Sequence, residues 1–289
     1  MHNYLYAEGR PPGQLAMIGQ AEATGYGVRL VEGTATAATV LARPAPGTAR
    51  FTVEIGTADG ATRTVTARRL LLATGLLDVL PDIPGLRERW GQDVLHCPFC
   101  HGWEVRDQPI GVIGTGSMAL HAVLLFRSLS ADVIYFQHTA PDPSDDQREQ
   151  LDALGVQHLV GGVAAVETTG DVLAGVRMTD GRLVPRTAVA VAPVVNGRDD
   201  LVVDLGLSTT DLEMGGDVLG RYLSADPSGA TTTPGVWAAG NLSAPMAQVV
   251  GAAAAGAAAG AAMHLDLVTE DTAVAVTAHR AAHAVGASR

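Results

Sequence analysis

Cys97-Pro98-Phe99-Cys100-His101 sets two cysteines and a histidine within five residues, and Gly114-Thr115-Gly116-Ser117-Met118-Ala119 begins seventeen residues after Cys97. Two thiols at this spacing with a following histidine admit three chemistries: attachment of a c-type haem, part of a zinc site, or a dithiol cycling with its disulfide. Haem would require export and an axial ligand, and the opening residues MHNYLYAEGRPPGQL show no basic patch followed by an apolar run. Zinc would require a fourth ligand, and the remaining histidines are scattered without metal spacing. A redox dithiol beside a nucleotide-type turn uses both halves of the segment, and no metal is expected.

The second half is a Gly-x-Gly-x-x-Ala turn. Glycines at Gly114 and Gly116 would let a backbone approach a pyrophosphate, and Ser117, Met118 and Ala119 would open a helix whose free N–H groups favour anions. A tight structural turn is the alternative. Near the end of the next strand an acid would read the NAD ribose, or arginines an NADP phosphate. The chain offers Gln137-His138-Thr139, which is neither.

These residues need elements to position them. PIGVIG, a helix over Ser117 to Leu129 and a strand over Ala131 to Phe136 read as the start of a βαβ unit. A helix over Asp146 to Leu154, strands over Gln157 to Glu167 and Val172 to Met178, and the strand TAVAVAPVV extend it towards residue 220. Before it, a helix follows Pro11-Pro12, and β-rich runs at Val28 to Ala42, Arg50 to Gly60 and Thr62 to Gly75 form a meander ending in a buried strand, Leu70 to Ala73. After it, a loop at Ser228 to Gly235 leads to VWAAGN, a buried Ala/Gly-rich helix through Met263 and a separate final helix, Asp271 to Val285. Trp103 is expected to pack, Glu104 to face solvent and Trp237 to lie in the core.

Length and charge bound the rest. At 289 residues two domains are expected. A net charge of -11 removes the general attraction to phosphate backbones and anionic lipid, so neither nucleic acid nor membrane is expected as a partner. The most apolar window, Val249 to Met263, is short for a membrane span. With no readable secretory signal and only two cysteines, the expected location is cytoplasmic.

Taken in order, C-x-x-C, Gly and an aromatic, then a strand and G-x-G-x-x-A resemble the core of the thioredoxin reductase family of flavoprotein disulfide oxidoreductases. Ala73-Thr74-Gly75 resembles that family's ATG after its meander, and TPGVWAAGN, Thr233 to Asn241, resembles its GVFAAGD strand, whose acid contacts the flavin ribityl chain. The helix from Ala247 resembles the one aimed at the flavin ring. The resemblance implies an α/β protein with two Rossmann-like domains. One is a discontinuous, N-terminally incomplete FAD-binding-type domain, residues 1–94 and 221–289. The other is an NAD(P)-binding-type domain, residues 95–220, carrying the dithiol. It further implies FAD at Thr74, Gly75, Gly240, Asn241, Ala247, Gln248 and Val249, with NADPH at the Gly114 turn. It also implies a homodimer acting on a small dithiol or a thioredoxin-like substrate. Cys100 would face the flavin, Cys97 would exchange with substrate, and His101 would take the thiol proton.

Three departures refine this. No strand leads into a first G-x-G-x-x-G, so about 40 residues of the family's opening half-unit are not found. Such a chain is expected either to be shortened at its N-terminus or to bind FAD weakly. Asn241 replaces an acid with an amide. His101 stands where the reductases usually carry aspartate, and the arginines that read NADPH are absent. The last two changes resemble the dithiol oxidases that close disulfides in gliotoxin- and holomycin-type natural products, with oxygen in place of NADPH. An NADPH-dependent thioredoxin reductase and a flavin-free, non-catalytic binding protein are the alternatives.

Overall fold

A computed structural model describes residues 1–198 and 200–286. The chain forms two compact units. The first comprises Met1–Leu15, Asp78–Val195 and Leu212–Gly220, and the second Ala16–Leu77, Asn196–Asp211 and Arg221–Arg289. Residues 1–15 and 78–94 thus lie in the first unit and 196–211 in the second, whereas the sequence assigns 1–94 and 221–289 to one domain and 95–220 to the other. The chain passes between units within helix Pro12–Gly25 and within the strands Leu76–Val79, Val194–Gly197, Thr209–Met214 and Asp217–Leu223.

The first unit is built on a parallel sheet ordered Val94–Leu95, Ala188–Val191, Ile110–Ile113, Val133–Phe136, Gln157–Leu159. Every residue of its three central strands is buried. That matches their unbroken apolar sequence, since parallel strands covered on both faces have no polar side to show. Helix Ala119–Arg127 buries Ala119, Val123 and Phe126 against one face. Helix Asp145–Ala153 starts at a capping box, in which the Ser144 side chain accepts from the Gln147 N–H and the Gln147 side chain accepts from the Ser144 N–H. A three-stranded antiparallel sheet, Val163–Thr169, Val172–Met178 and Leu183–Pro185, packs on the other face through Val163, Val166, Val176 and Met178. The single strand expected over Gln157 to Glu167 is two strands, because Gly161 takes φ +119° and breaks the run.

In the second unit the meander forms as expected, Thr34–Val40, Phe51–Gly56 and Thr62–Ala67, all antiparallel. Its first strand starts at Thr34, six residues later than the β-rich sequence begins. Leu70–Leu72 pairs in parallel with Val236–Ala238, and Phe51, Leu72, Leu205, Leu223, Val236 and Leu242 fill the core beneath. Leu71 is exposed, so the strand expected to be buried is only half so.

The two expected C-terminal helices are one, Val249–Gly286. Alanine is the best helix former and nothing in the junction interrupts it. The helix is also not buried as expected. It touches the core through Ala259, beside Trp237 and Ala239, and is otherwise mostly exposed. By length and composition Val249–His283 could cross a membrane. Its middle, however, is pinned to the meander by charge. Glu270 accepts from Arg68 at 2.7 Å and from the Gly47 N–H at 3.1 Å and pairs with Arg69 at 3.0 Å, while Asp266 pairs with Arg69 and Asp271 with Arg68.

Candidate functional site

Cys97 caps the one-turn helix Pro98–His101, with Pro98 at its first position, where a missing N–H costs nothing. The Cys100 and His101 amides donate to the Cys97 carbonyl at 3.3 and 3.1 Å. This turn brings the two Cα atoms to 5.3 Å, and the cysteines are joined as a disulfide. Cys97 is half-buried and Cys100 exposed; His101 is half-buried. Gly102 is buried, and a Cβ there would fall 2.5 Å from Leu129, so the turn packs tightly on the unit. Trp103 does not pack in the core. It is 56% exposed, with the Arg106 guanidinium 4.2 Å from its ring centroid, and Phe99 beside Cys100 is 55% exposed. Glu104 faces solvent and pairs with His2 at 2.8 Å.

Sequence reasoning passed over His96, the residue before Cys97. Although exposed by area, its ring is desolvated by surrounding protein, which lowers its pKa against the opposing pull of Asp78. It is the residue immediately before Cys97, and the lowered pKa favours its neutral form.

The Gly114 turn has the predicted context, strand Ile110–Ile113 before it and helix Ala119–Arg127 after it. Its contents differ from those of an open phosphate cradle. A Cβ on Gly114 would lie 2.8 Å from both the Ala140 Cβ and the Gln137 carbonyl oxygen, and 2.9 Å from Tyr135. The first glycine is therefore required by the protein's own packing. A Cβ on Gly116 would meet a carboxylate oxygen of Asp217 at 2.9 Å, and that oxygen accepts the Ser117 backbone N–H at 2.7 Å. This bond holds the Asp217 carboxyl below the usual carboxylate range. Asp217 stands at the start of strand Asp217–Leu223, immediately after the turn residues Gly215 and Gly216. The adjacent Gly215-Gly216 pair could have marked a turn, but nothing local marks its docking a hundred residues away on Ser117.

The groups at the exit of strand Val133–Phe136 are already committed. The Gln137 amide donates to Asp142 at 2.5 Å, and its oxygen lies 3.0 Å from His158 Nε2. His138 Nδ1 accepts the Val163 N–H at 3.0 Å, and burial lowers its pKa, so it is not the cation a ribose phosphate would need.

The residues assigned by resemblance to flavin all lie in the second unit. Thr74 and Val249 are exposed, and Gly75, Gly240, Asn241, Ala247 and Gln248 partly so. Gly240 takes φ +71°, turning the chain out of strand Val236–Ala238. Asn241 Nδ2 then donates to the carbonyls of Pro245 and Ala247 at 2.9 and 3.0 Å, which fixes the approach to helix Val249–Gly286. With its N–H groups used, Asn241 retains an oxygen able to accept from a hydroxyl, as a ribityl chain would require. Among the described residues of this unit, no Gly-x-Gly-x-x-Gly turn joins a strand to a helix. The donors present fit the ribityl and ring half of FAD and supply no glycine turn for its pyrophosphate.

Comparison with known proteins agrees with this geometry. A probable thioredoxin reductase of Arthroderma benhamiae is 42% identical over 81 residues, 27% of this chain and 20% of that protein. Thioredoxin reductase tcpT of Claviceps purpurea is 30% identical over 215 residues, 70% of this chain and 63% of that protein. The chain thus spans less than two thirds of either curated relative. The crystal structure of HlmI superposes with a TM-score of 0.83 at 41% identity, covering 99% of this chain and 84% of that one. The family model for pyridine nucleotide-disulphide oxidoreductases matches residues 8–262. With its disulfide on a short helix, its parallel sheet and its meander all inside that match, the chain belongs to the pyridine nucleotide-disulphide oxidoreductase family and is thioredoxin reductase-like.

Proposed function

We propose that the protein is a flavin-dependent thiol-disulfide oxidoreductase that oxidises small dithiols to disulfides, with oxygen as the final electron acceptor. The observation that carries this reading is the Cys97–Cys100 disulfide on a unit whose phosphate-reading positions, Gln137 and His138, hold no free cation. In the first half-reaction a substrate thiolate attacks Cys97, forming a mixed disulfide and releasing Cys100 as a thiolate. The second substrate thiolate then displaces Cys97. The substrate leaves as a disulfide, and two electrons and two protons remain on the enzyme dithiol. Bound FAD would supply the two-electron relay that restores the Cys97–Cys100 disulfide and reduces oxygen to hydrogen peroxide. Asn241 would accept from the ribityl chain, and Ala247 to Val249 would lie at the ring. His101, after Cys100, or His96, before Cys97, would take the thiol protons. The exposed Phe99 and Trp103 suit an apolar or aromatic small substrate better than a charged one.

The test supplies FAD to the purified protein and measures oxygen consumption with a small dithiol under air, beside NADPH consumption with a protein disulfide. Faster dithiol oxidation supports the reading, and efficient NADPH turnover with slow oxygen consumption assigns an ordinary reductase instead. Flavin bound to this chain is expected to be lost on dialysis; a stoichiometric flavin that survives dialysis would overturn the weak-binding expectation. The same reading carries a homodimer through the Ala-rich exposed face of Val249–Gly286 and a cytoplasmic location. Sedimentation showing only monomer at micromolar concentration would remove the dimer.

A further inference from the structure

The Gly114 turn is already filled by the chain itself. Hairpin residues Gly215 and Asp217 and turn residues Gly116 and Ser117 are cut to each other's shape. A Cβ on Gly116 would strike Asp217, and a Cβ on Gly215 would lie 2.8 Å from Ser117 Oγ and 3.2 Å from Met118 Sδ. Asp217 takes the Ser117 N–H at 2.7 Å, a donor that a bound pyrophosphate would take at this turn. Independently, the space left beside the turn is small and acidic. It is a cavity of about 90 Å³ lined by Gly116, Ser117, Tyr135 and Asp142 among others, against the several hundred Å³ that ligand pockets usually offer. Asp142 contributes its carboxylate there, held by Gln137 at 2.5 Å.

From these we propose that Asp217 is the specificity-determining residue that closes the nucleotide seat, its carboxylate standing in for a phosphate and barring nicotinamide dinucleotides. A phosphate entering the turn would have to displace a hydrogen-bonded carboxylate or share the site with it, and two anions at contact distance in a partly enclosed cavity repel strongly. The low pKa of Asp217 keeps that charge in place at physiological pH. The inference rests on reading the first unit as a nucleotide-type domain, and it deepens the proposed function by giving a residue-level cause for using oxygen rather than NADPH. It concerns binding alone, so it stands or falls separately from the oxidation chemistry.

The experiment is direct binding of NADPH and NADH, by calorimetry on the oxidised full chain without a thiol substrate, to the wild type and to Asp217→Asn and Asp217→Ala. Asp217→Asn keeps the side chain's shape and removes its charge. Asp180→Asn, on an exposed turn of the same unit, controls for the general loss of a negative charge. We expect millimolar or weaker binding to the wild type and to the Asp180 variant, and at least a tenfold gain in both Asp217 variants. Folded Asp217 variants that bind no better than the wild type would overturn the proposal, as would micromolar binding by the wild type. Should either variant fail to fold, amide exchange at Ser117 in the wild type decides. Protection that is strong and unchanged by millimolar NADPH supports the closed seat, and protection that rises with NADPH overturns it.

Discussion

Glu270→Gln tests what fastens the long C-terminal helix to the second unit. The Glu270 carboxylate is nearly enclosed, its side chain 10% exposed, and it meets Arg68, Arg69 and the Gly47 N–H. The hydrogen bond from Arg68, then the one from Gly47, lowers its pKa from 4.5 to about 2. Taken at face value a drop of that size corresponds to about 3 kcal/mol. Solvent reaches Arg68 and Asp266, so screening brings the expected contribution to about 2 kcal/mol. The amide can still accept but carries no charge, and most of this should be lost. For a unit of this size the melting temperature would fall by roughly 4 to 8 °C. Because the folded-state pKa is depressed, the stabilisation is fully present above the unfolded value near 4.5 and is lost as pH falls from there through about 2. The gap between wild type and Glu270→Gln at pH 3 should therefore be less than about half the gap at pH 7. Trp237 lies in this unit and, in a Trp90→Phe, Trp103→Phe background, reports its unfolding by fluorescence. A gap below about 0.5 kcal/mol at pH 7, or one of equal size at both pH values, would show that charge does not hold the helix.

Gly114→Ala should destabilise the first unit by about 1 to 3 kcal/mol in urea denaturation, with or without NADPH, since the added methyl meets only protein atoms. A stable variant with altered nucleotide binding alone would contradict the packing argument. Cys100→Ser should abolish transfer of electrons from dithiol to flavin, whereas Cys97→Ser should block exchange with substrate while leaving Cys100 in place; unchanged oxygen consumption in both would remove the dithiol from the chemistry. His101→Ala should slow dithiol oxidation most below pH 7, where fewer thiols ionise unaided, and an equal loss across pH 6 to 9 would assign His101 a structural role instead.

The parts legible in the sequence are those whose signal is local. The buried strands Ile110–Ile113 and Val133–Phe136 announce themselves as short apolar runs, the Gly114 turn as glycines between a strand and a helix, and the Cys97–Cys100 pair by its spacing. What escaped depends on partners far along the chain. Asp266 and Glu270 look like a solvated break between two helices, but one turn apart they share a face that meets Arg68 and Arg69, two hundred residues earlier. The exposure of Val249–Gly286 escaped for a related reason: a run of alanines is equally compatible with a buried face and with a helix anchored at a few points. His96 escaped because its desolvation is a property of the packing around it and leaves no mark in its neighbours' identities.

The nucleotide turn shows why reading a motif does not by itself fix its occupant. Glycine serves such a turn in two ways, by permitting close packing of the turn on its own unit and by admitting a phosphate. In this chain the first service is visible at Gly114, where Ala140, Gln137 and Tyr135 leave no room for a side chain. At Gly116 the space a side chain would need is taken by an Asp217 carboxylate oxygen, which also accepts the Ser117 N–H. Both glycines therefore have a reason to be where they are that involves no dinucleotide, and the G-x-G-x-x-A pattern alone cannot distinguish an open seat from a filled one. We place the distinction in Asp217. If, as proposed, its charge opposes phosphate while its geometry imitates it, a well-packed nucleotide-type unit would carry the Cys97–Cys100 turn without a bound nucleotide.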